Sequence, residues 1–495
     1  MPLGRFCTSP KSFASVLVIL EANMTFGVLQ RRRPRTLWAC LLLAVLGTGA
    51  AQAESVQRMD FPACVARALA QNPEMEMSLA QIELASAAVR QAEAGWMPRL
   101  NLSMTGTYSN DALNAFGMKL NQRQATFGDF GFGQFDASNP NILNVEPNDL
   151  NHPGGTGNVN SRIELLVPVY NGGLVDSYVQ QARAQVRAAQ EGDAAARQAL
   201  VKQVTMAYEG VHAARAFVKV GEQARQASQE YVRITEKMMA QGVSLKSDYL
   251  MAQVRLDDVQ VQLAQARNQE AVALDQLRLL LGMSLDTPVQ LGASVVIPPV
   301  EGSADALQTE ALANNPQLNA ARQQLAGVSA GVDAARAAGL PQVNLMARQD
   351  WNDPALEFSA SSYTVAGVLS WNAFDGGATA AAVDRAQAAR IEMGAKLRQA
   401  EDGVRLQVRD AARKAQEIDE RIVARTRALA QAEEAVRLMK KRYENGLATM
   451  LELLTTQAQQ DKANADLISA RYEQVVQRAE WMRLLGRLTP ERLGA

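Results

Sequence analysis

Histidine and cysteine, which commonly act in catalysis or bind metals, are scarce in this chain of 495 residues. It contains two His and three Cys, and His152 and His212 lie 60 positions apart with no Cys or second His beside either. A structural or catalytic zinc site needs three or four such ligands. The chain also lacks a GxxxxGK[ST] sequence, which argues against binding of nucleotide phosphates. We therefore expect neither an enzyme nor a bound cofactor or metal.

The acidic side chains that are the strongest candidates for a functional role lie in two short turns, residues 242–248 and 446–452. Each turn begins with a glycine, which most simply supplies a left-handed backbone conformation. Thr449 and Glu452 have the spacing of a capping box, and this predicts that a helix starts there. The ordinary role of Asp248 and Glu452 is then to stabilise the positive end of a helix dipole.

The overall charge excludes one broad class of function. The chain has 50 Lys and Arg against 51 Asp and Glu, so its formal net charge is −1. Binding to nucleic acid that is driven by net charge needs a cationic excess, because released counterions supply its free energy. With 47% apolar residues, the chain has enough material to bury large surfaces and is not expected to be disordered.

The N-terminus predicts an export signal. Four arginines between positions 31 and 35 precede an apolar run at 37–49, and Ala51-Gln52-Ala53 follows with the form that signal peptidase accepts. The run is too short for a transmembrane helix, which needs ~20 residues. We expect cleavage after Ala53 and translation from Met24 rather than Met1. An uncleaved anchor is the alternative. The mature chain then keeps only Cys64 and has no internal disulfide.

Sequence landmarks recur at two fixed offsets, which predicts two internal repeats. Asn72-Pro73 recurs 243 positions later, and the glycine pair at 172–173 recurs 204 positions later. The first copy therefore has 39 additional residues between these landmarks. The expected divisions are the signal peptide with its upstream extension at 1–53, the first repeat at 54–286, the second repeat at 287–488 and a short tail at 489–495.

Two long segments predict uninterrupted helices. No proline occurs between residues 173 and 242 or between 377 and 446, and each stretch would form a helix of roughly 100 Å. Apolar residues recur at spacings of three and four, as in Val201, Val204 and Tyr208. Each long helix is followed by a turn and a returning helix, which predicts hairpins at 172–282 and 376–486. Helices of this kind need packing partners, because they are unstable alone.

Four shorter segments alternate apolar and polar residues and predict β-strands. In the first, Leu100 and Leu102 share one face while Asn101 and Ser103 share the other. About ten residues is the length of a strand that crosses a membrane in a tilted barrel. The alternative is an ordinary hairpin that packs its apolar face on a helix. The expected strands lie at about 99–109, 161–171, 342–350 and 362–372.

Four strands cannot close a pore-sized barrel, and an open sheet edge cannot face lipid. Three copies of the chain would together supply twelve strands, an even number within the known range. The segment 110–160 would then be an external loop. It is rich in Gly and Asn and contains five phenylalanines. Such a loop either folds over the mouth of the barrel or is a poorly ordered surface loop.

Together these features resemble the TolC family of outer-membrane efflux ducts. The resemblance rests on the signal peptide, the duplicated unit, the glycine pair that opens each long helix, and Arg442-Tyr443-Glu444-Asn445-Gly446. It covers about residues 56–488. It implies a mainly α protein with membrane β-structure: a trimeric 12-stranded β-barrel, four strands per chain, continued into a long periplasmic α-helical barrel.

The resemblance also implies location and partners. The protein would lie in the outer membrane of a Gram-negative bacterium and extend into the periplasm. Its partners would be two further copies of itself, a periplasmic adaptor protein, an inner-membrane transporter of RND or ABC type and outer-membrane lipid, but no nucleic acid. It would passively conduct substrates outward in a tripartite efflux or type I secretion system. Small toxic molecules, metal ions and secreted proteins are all compatible substrates.

Site residues follow from the same resemblance. It implies that Tyr443, Ser247 and Asp248 hydrogen bond in a periplasmic gate and that Glu452 belongs to an acidic ring. Two positions depart from the family pattern: Ala448 stands where a linking Arg is found, and Thr455 where a second Asp is found. A salt-bridged lock at Ala448 is therefore doubtful. The implied adaptor-contact turns comprise Gly242, Val243, Ser244, Gly446, Leu447 and Ala448.

One alternative comes from a different class of protein. A periplasmic adaptor or structural coiled-coil protein would share the signal peptide and the helical hairpins. Such an adaptor would carry a compact, Gly-rich, lipoyl-like module between its hairpin arms, which the sequence does not show. The alternating strand pairs favour the outer-membrane duct instead.

Overall fold

The computed structural model describes residues 57–490, so the expected export signal and the last five residues lie outside it. Its α-helices are α1 (Phe61–Gln71), α2 (Pro73–Glu93), α3 (Ala112–Asn121), α4 (Asn148–Asn151), α5 (Leu174–Ala240), α6 (Lys246–Leu280), α7 (Ala304–Asn314), α8 (Pro316–Ala337), α9 (Ala378–Glu444) and α10 (Met450–Leu484). Its strands are β1 (Gln57–Met59), β2 (Arg99–Ser109), β3 (Thr156–Tyr170), β4 (Val289–Leu291), β5 (Gln342–Asp353) and β6 (Ser361–Ser370).

The two proline-free stretches form helices of 67 residues each, α5 and α9. Each starts directly after a glycine pair whose second member, Gly173 or Gly377, has a left-handed backbone. The returning helices α6 and α10 are 35 residues each. Gly282 and Gly486 follow them in the left-handed conformation that ends a helix. The backbone signals in the sequence therefore coincide with the helix ends.

Both halves of the described chain follow one order of elements: two helices, a strand, a second strand, a long helix and a returning helix. The helix α7 begins 243 residues after α1, and α9 begins 204 residues after α5. The extra residues of the first half lie between β2 and β3. In the second half, a turn of seven residues at 354–360 joins β5 to β6.

The apolar stripe of α5 forms the centre of the largest core. Val201, Val204 and Tyr208 are fully buried there, together with residues of α1. The ring of Phe61 meets Tyr208 edge-on, with centroids 5.5 Å apart. A parallel pairing of β1 with β4 lies beside this core. Two smaller cores hold α7 and α8 against α9 and α10, and join the two hairpins near their tips.

The four long strands form one antiparallel sheet in the order β2-β3-β5-β6. Within the described chain, the outer edges of β2 and β6 have no partner strand. The strand β3 begins earlier than the expected 161, because its first residues pair with the end of β2, and Ser109 lies opposite Thr156. β5 likewise extends three residues past the expected 350, since Asp353 pairs with Val159.

The sheet has one apolar and one polar face. Leu102 is 72% exposed and Val365 is 74% exposed, and both lie on the apolar face. On the polar face, the Arg162 guanidinium is 2.7 Å from the Asp350 carboxylate. Residues exposed on the apolar face include Leu100, Leu102, Ile163, Leu165, Leu345, Val365 and Leu369.

Residues 110–155, which we call the insert, are more regular than a surface loop. They contain α3, α4 and three short 3-10 turns. The prediction of an external loop at 110–160 is therefore wrong in extent, because residues 156–160 belong to β3. Among the helices of residues 57–490, none combines the length and the hydropathy that crossing a membrane requires.

Candidate functional site

The two turns at the hairpin tips have the same backbone geometry. Gly242 and Gly446 adopt φ angles of 74° and 71°. The amide of Gly242 donates to the Met239 carbonyl at 3.0 Å, and that of Gly446 donates to the Tyr443 carbonyl at 2.9 Å. These bonds satisfy carbonyls that a helix end would otherwise leave without a donor. The predicted left-handed role of both glycines is confirmed.

Glu452 is held by the predicted capping box at the start of α10. The Thr449 amide donates to its carboxylate at 2.7 Å, and the Glu452 amide donates back to the Thr449 hydroxyl at 3.2 Å. The backbone hydrogen bond from Thr449 is the main reason that the pKa of Glu452 lies below its usual range. The carboxylate is exposed and therefore anionic at neutral pH.

Asp248 occupies the equivalent place at the start of α6. Its carboxylate accepts a hydrogen bond of 3.0 Å from the Ser244 hydroxyl. Asp248 is half-buried, whereas its neighbour Ser247 is exposed. Each tip therefore presents one acid in the first turn of its returning helix, held by a hydroxyl or amide of the preceding turn.

Tyr443 lies deeper than the other residues of the expected gate. Its side chain is buried among Tyr231, Ala252 and Met450. Its hydroxyl lies 3.2 Å from the Thr235 hydroxyl of α5. Within the described residues of one chain, no hydrogen bond joins Tyr443 to Ser247 or Asp248. Tyr443 instead ties the end of α9 to the first hairpin.

A second polar tie between the hairpins went unrecognised in the sequence. The Tyr231 hydroxyl of α5 donates to the Gln457 side chain of α10 at 2.8 Å. Gln457 in turn donates to Asp461 at 2.9 Å. The Arg255 guanidinium of α6 reaches the other Asp461 oxygen at 2.9 Å. Three helices from both halves of the chain thus meet in one network.

Burial governs the charges of this network. It raises the pKa of Tyr231 to about 12. It also raises the pKa of Asp461, against the opposing effect of the bonds from Gln457 and Arg255. A carboxylate that leaves water is stabilised by a cation and by hydrogen bonds. Arg255 therefore has a direct part in keeping Asp461 ionised.

The spacing of Gln457 and Asp461 was the only signal for this tie. Residues four apart lie on one face of a helix. The partner Arg255 is 206 residues away from Asp461, and the repeat offset of 204 does not relate the two positions. Nothing in the order of the residues therefore points from one to the other.

The expected adaptor-contact residues differ in exposure. Val243 and Leu447 are exposed at the two tips, whereas Ser244 and Ala448 are half-buried. Ala448 packs against the core that contains Tyr443. An open groove of about 450 Å³ runs along the end of α9 beside Leu447. Its lining residues are Ala435, Leu438, Met439, Lys441, Arg442, Asn445 and Leu447.

The histidines lie away from the tips. His212 is half-buried in α5 beside Tyr208, and burial lowers its pKa. His152 lies in the insert. Over residues 57–490, no three side chains of His, Cys, Asp or Glu gather in a way that could hold a metal ion.

Comparison with known proteins identifies similar sequences. Residues 64–283 and 307–487 match the family model described as outer membrane efflux protein, which is more than half of the chain. The antibiotic efflux pump outer membrane protein ArpC of Pseudomonas putida is 24% identical over 81% of this chain and 86% of its own length. Outer membrane protein OprJ of Pseudomonas aeruginosa is 26% identical over 79% of this chain and 76% of its own length.

The fold is also similar to that of solved structures. The crystal structure of CusC, a protein that forms a transmembrane channel, superposes on this chain with a TM-score of 0.71. The two chains are 19% identical, and the match covers 86% of this chain and 91% of CusC. At this level of identity the similarity establishes a shared fold.

Proposed function

Because this chain belongs to the outer membrane efflux protein family, we propose that it is the exit duct of a tripartite export system. It is an outer membrane protein that serves efflux. In the proposal, three copies form a 12-stranded barrel continued by a helical tunnel in the periplasm. A periplasmic adaptor and an inner-membrane transporter deliver the substrate, and the duct conducts it passively, without a catalytic step.

The two faces and the two free edges of the sheet carry this proposal. The apolar face suits lipid, and the polar face, with Arg162 and Asp350, suits a water-filled lumen. A sheet edge without a partner is unfavourable in a membrane, because its backbone groups remain unsatisfied. Pairing of β2 with β6 of the next copy would remove both edges.

The matching order of elements in the two halves supports two structural repeats, 54–286 and 287–488. Two repeats place two helical hairpins in each chain, so three chains would supply six tips. We propose that these tips form the periplasmic gate, with Tyr443, Ser247, Asp248 and Glu452 among its residues. The capping geometry of Glu452 leaves its carboxylate exposed and anionic, as a pore-lining acid would be.

We propose the tip turns as the adaptor contact, namely Gly242, Val243, Ser244, Gly446, Leu447 and Ala448. The exposed side chains of Val243 and Leu447 support it, as does the groove along the end of α9. That groove is mostly apolar, and Lys441 and Arg442 are among the residues that line it. An amphipathic helix with acidic residues beside its apolar stripe has the chemistry to occupy it.

Charge placed on opposite faces of β2 tests the barrel. Leu102→Arg puts a cation on the apolar face, whereas Asn101→Arg puts the same cation on the polar face opposite Glu164. We expect Leu102→Arg to destabilise the membrane-inserted protein by ~2–4 kcal/mol, the cost of a cation on the lipid face. The measurement is the amount of folded protein in outer membranes, together with its unfolding by urea.

The Asn101→Arg chain should assemble close to normally. Equal losses for both variants, or no loss for either, would mean that the sheet does not separate lipid from water, and the proposed barrel would fail.

A further inference from the structure

The insert is fixed to the polar face of the sheet. The side-chain amide of Gln122, just after α3, donates to the Gly157 carbonyl at 2.7 Å and to the Asn158 side chain at 3.0 Å. The Asn158 side chain also donates to Asn352 on β5 at 3.0 Å. Asn158 and Asn160 alternate with apolar-face residues along β3, and Asn160 bonds to Asn352 and Asp350. The insert therefore docks where the polar side chains lie.

The next residue, Arg123, is a second anchor between the insert and the sheet. The Arg123 guanidinium donates to the carbonyl of Ser361, the first residue of β6. Arg123 has a φ of 58°, a conformation that side chains other than Gly rarely adopt. The chain turns sharply there while the side chain reaches across the sheet. The anchors thus span from β3 to β6.

The remainder of the insert is tied to α3. Lys119 of α3 forms an ion pair with Asp129. The hydrogen bond from Lys119 is the largest of the effects that lower the pKa of Asp129 to about 2. The ring of Phe116 meets that of Phe130 edge-on, with centroids 4.9 Å apart. Residues on α3 and on the following turns therefore form one body.

The anchors also locate the insert along the strands. Asn158 lies near the start of β3 and Ser361 at the start of β6, whereas the glycine pairs that open the long helices follow the opposite ends of these strands. The insert thus covers the end of the polar face that is farther from the helices. In an outer-membrane barrel, this end opens to the exterior.

The insert exposes several large apolar side chains. Phe127 is 80% exposed and Phe132 is 61% exposed, and Phe135 is also exposed. Isolated exposed apolar residues are common on protein surfaces, but a cluster of exposed apolar side chains marks a site of contact with another molecule. Here the cluster belongs to a body that is fixed against the polar face.

From this geometry, and resting on the proposed barrel, we propose that the insert is a plug in the outer mouth. Because the polar face lines the lumen, three inserts lie inside its outer end, and their exposed phenylalanines narrow the exit. An apolar constriction hinders ions and water, because the narrow passage dewets. Solutes with an apolar part lose less hydration free energy than ions do when they enter this constriction. The plug therefore forms a second barrier in addition to the tips.

Accessibility of a lumenal cysteine from outside the cell tests the plug. Ser103→Cys lies on the polar face of β2, opposite Arg162. In intact cells, a bulky, membrane-impermeant maleimide should label it slowly. Background from Cys64 is low, because that thiol is buried and its pKa is raised to about 12. Replacing residues 112–154 by a short Gly-Ser linker should raise the labelling rate about tenfold.

A milder variant covers the case in which the shortened chain does not assemble. Gln122→Ala combined with Arg123→Gly removes both anchors, and Gly tolerates the positive φ. It should also raise labelling at position 103. Ala355→Cys, in the exposed turn between β5 and β6, serves as the control and should label equally fast in every background.

Either of two results would contradict the proposed plug. If Ser103→Cys is labelled at the same rate with the intact, shortened and unanchored inserts, the insert lies outside the lumen and the plug is wrong. If Leu102→Cys, on the apolar face, is labelled as fast as Ser103→Cys when the insert is shortened or unanchored, the sheet does not line a barrel. In that case the proposed function fails, and the plug fails with it.

Discussion

Individual side chains at the tips decide how the two hairpins of one chain are joined. The family pattern places a linking Arg where this chain has Ala448, and that side chain packs into the apolar core instead. Among the described residues near the tips, a hydroxyl–hydroxyl contact joins Tyr443 to Thr235, and an ion pair joins Arg255 to Asp461. This ionic contact between the hairpins therefore lies farther from the turn than the resemblance implied, and a second one, between Lys202 and Glu480, lies farther still.

The first prediction concerns the charge at Glu452. Glu452→Gln keeps an oxygen that accepts the capping hydrogen bond but removes the negative charge. If three such carboxylates ring the tunnel, they favour cations. We expect the preference for cations over anions to fall severalfold in planar-bilayer conductance.

Glu74→Gln is the matched control, because Glu74 is also an exposed acid in the first turn of a helix. It should leave selectivity unchanged. If Glu452→Gln behaves in the same way, Glu452 does not line the pore.

The second prediction concerns pH and Arg255. Arg255→Met leaves the half-buried Asp461 carboxylate with its hydrogen bond from Gln457 but without its cation, and losing this charged partner costs about 1–3 kcal/mol. A raised folded pKa means that this cost is fully present above that pKa and disappears as the acid becomes protonated below it. The difference in thermal midpoint between wild type and Arg255→Met should therefore be larger at pH 7.5 than at pH 5.

Arg233→Met provides the comparison, since Arg233 pairs with Glu230 on the exposed surface of α5. Exposed pairs contribute ~0–1 kcal/mol. Its effect should be small at both pH values. A pH-independent loss for Arg255→Met would show that the ionisation of Asp461 is not what Arg255 supports.

At the scale of elements, the lengths and ends of the helices follow from local backbone signals. The absence of proline permits the 67 residues of α5 and α9, and left-handed glycines end the hairpin arms. Tertiary packing then supplies stability, because long amphipathic helices bury one stripe against their neighbours. The tip turns join these rods, so their glycines are sensitive positions.

The third prediction compares two glycines. Gly446→Ala forces an L-residue into φ near 71°, which costs ~1–2 kcal/mol. Gly192 lies on the exposed face of α5 with open space around it. Gly192→Ala should therefore stabilise the helix by about 0.5–1 kcal/mol. Thermal unfolding of the purified proteins should shift in opposite directions, and a shift in the same direction would contradict this account of the turn.

At the scale of the whole molecule, one chain leaves its sheet incomplete. The edges of β2 and β6 lack partners in the described residues, and the apolar face is exposed. If copies of the chain close the sheet within a membrane, both edges gain a partner strand and lipid covers the apolar face. The proposed plug and the proposed gate can restrict passage only in that closed assembly.

The fourth prediction is the assembly itself. In detergent, light scattering should give a protein mass three times that of the mature chain. The complex should persist on dilution, since closing the barrel removes every free strand edge. A mature chain that is soluble and monomeric without detergent would overturn both the barrel and the plug.

The sequence alone determined the features that depend on interactions between residues close together in the chain. Proline-free stretches, glycine pairs and apolar periods predicted the long helices, their turns and the strands, because backbone preference and alternation act over a few residues. The capping box of Thr449 and Glu452 was predicted for the same reason. The family resemblance, carried by the order of these signals, predicted an outer membrane efflux protein, and the family match confirmed it.

Only the tertiary structure decided which distant residues meet. Arg255 and Asp461 lie 206 positions apart, and Gln122 reaches Asn158 across the insert. Packing of whole helices and the register of strands create such contacts, and neither leaves a periodic pattern in the sequence. The insert illustrates the difference: its composition allowed a loose loop or a cover, whereas its hydrogen bonds place it on the polar face of the sheet.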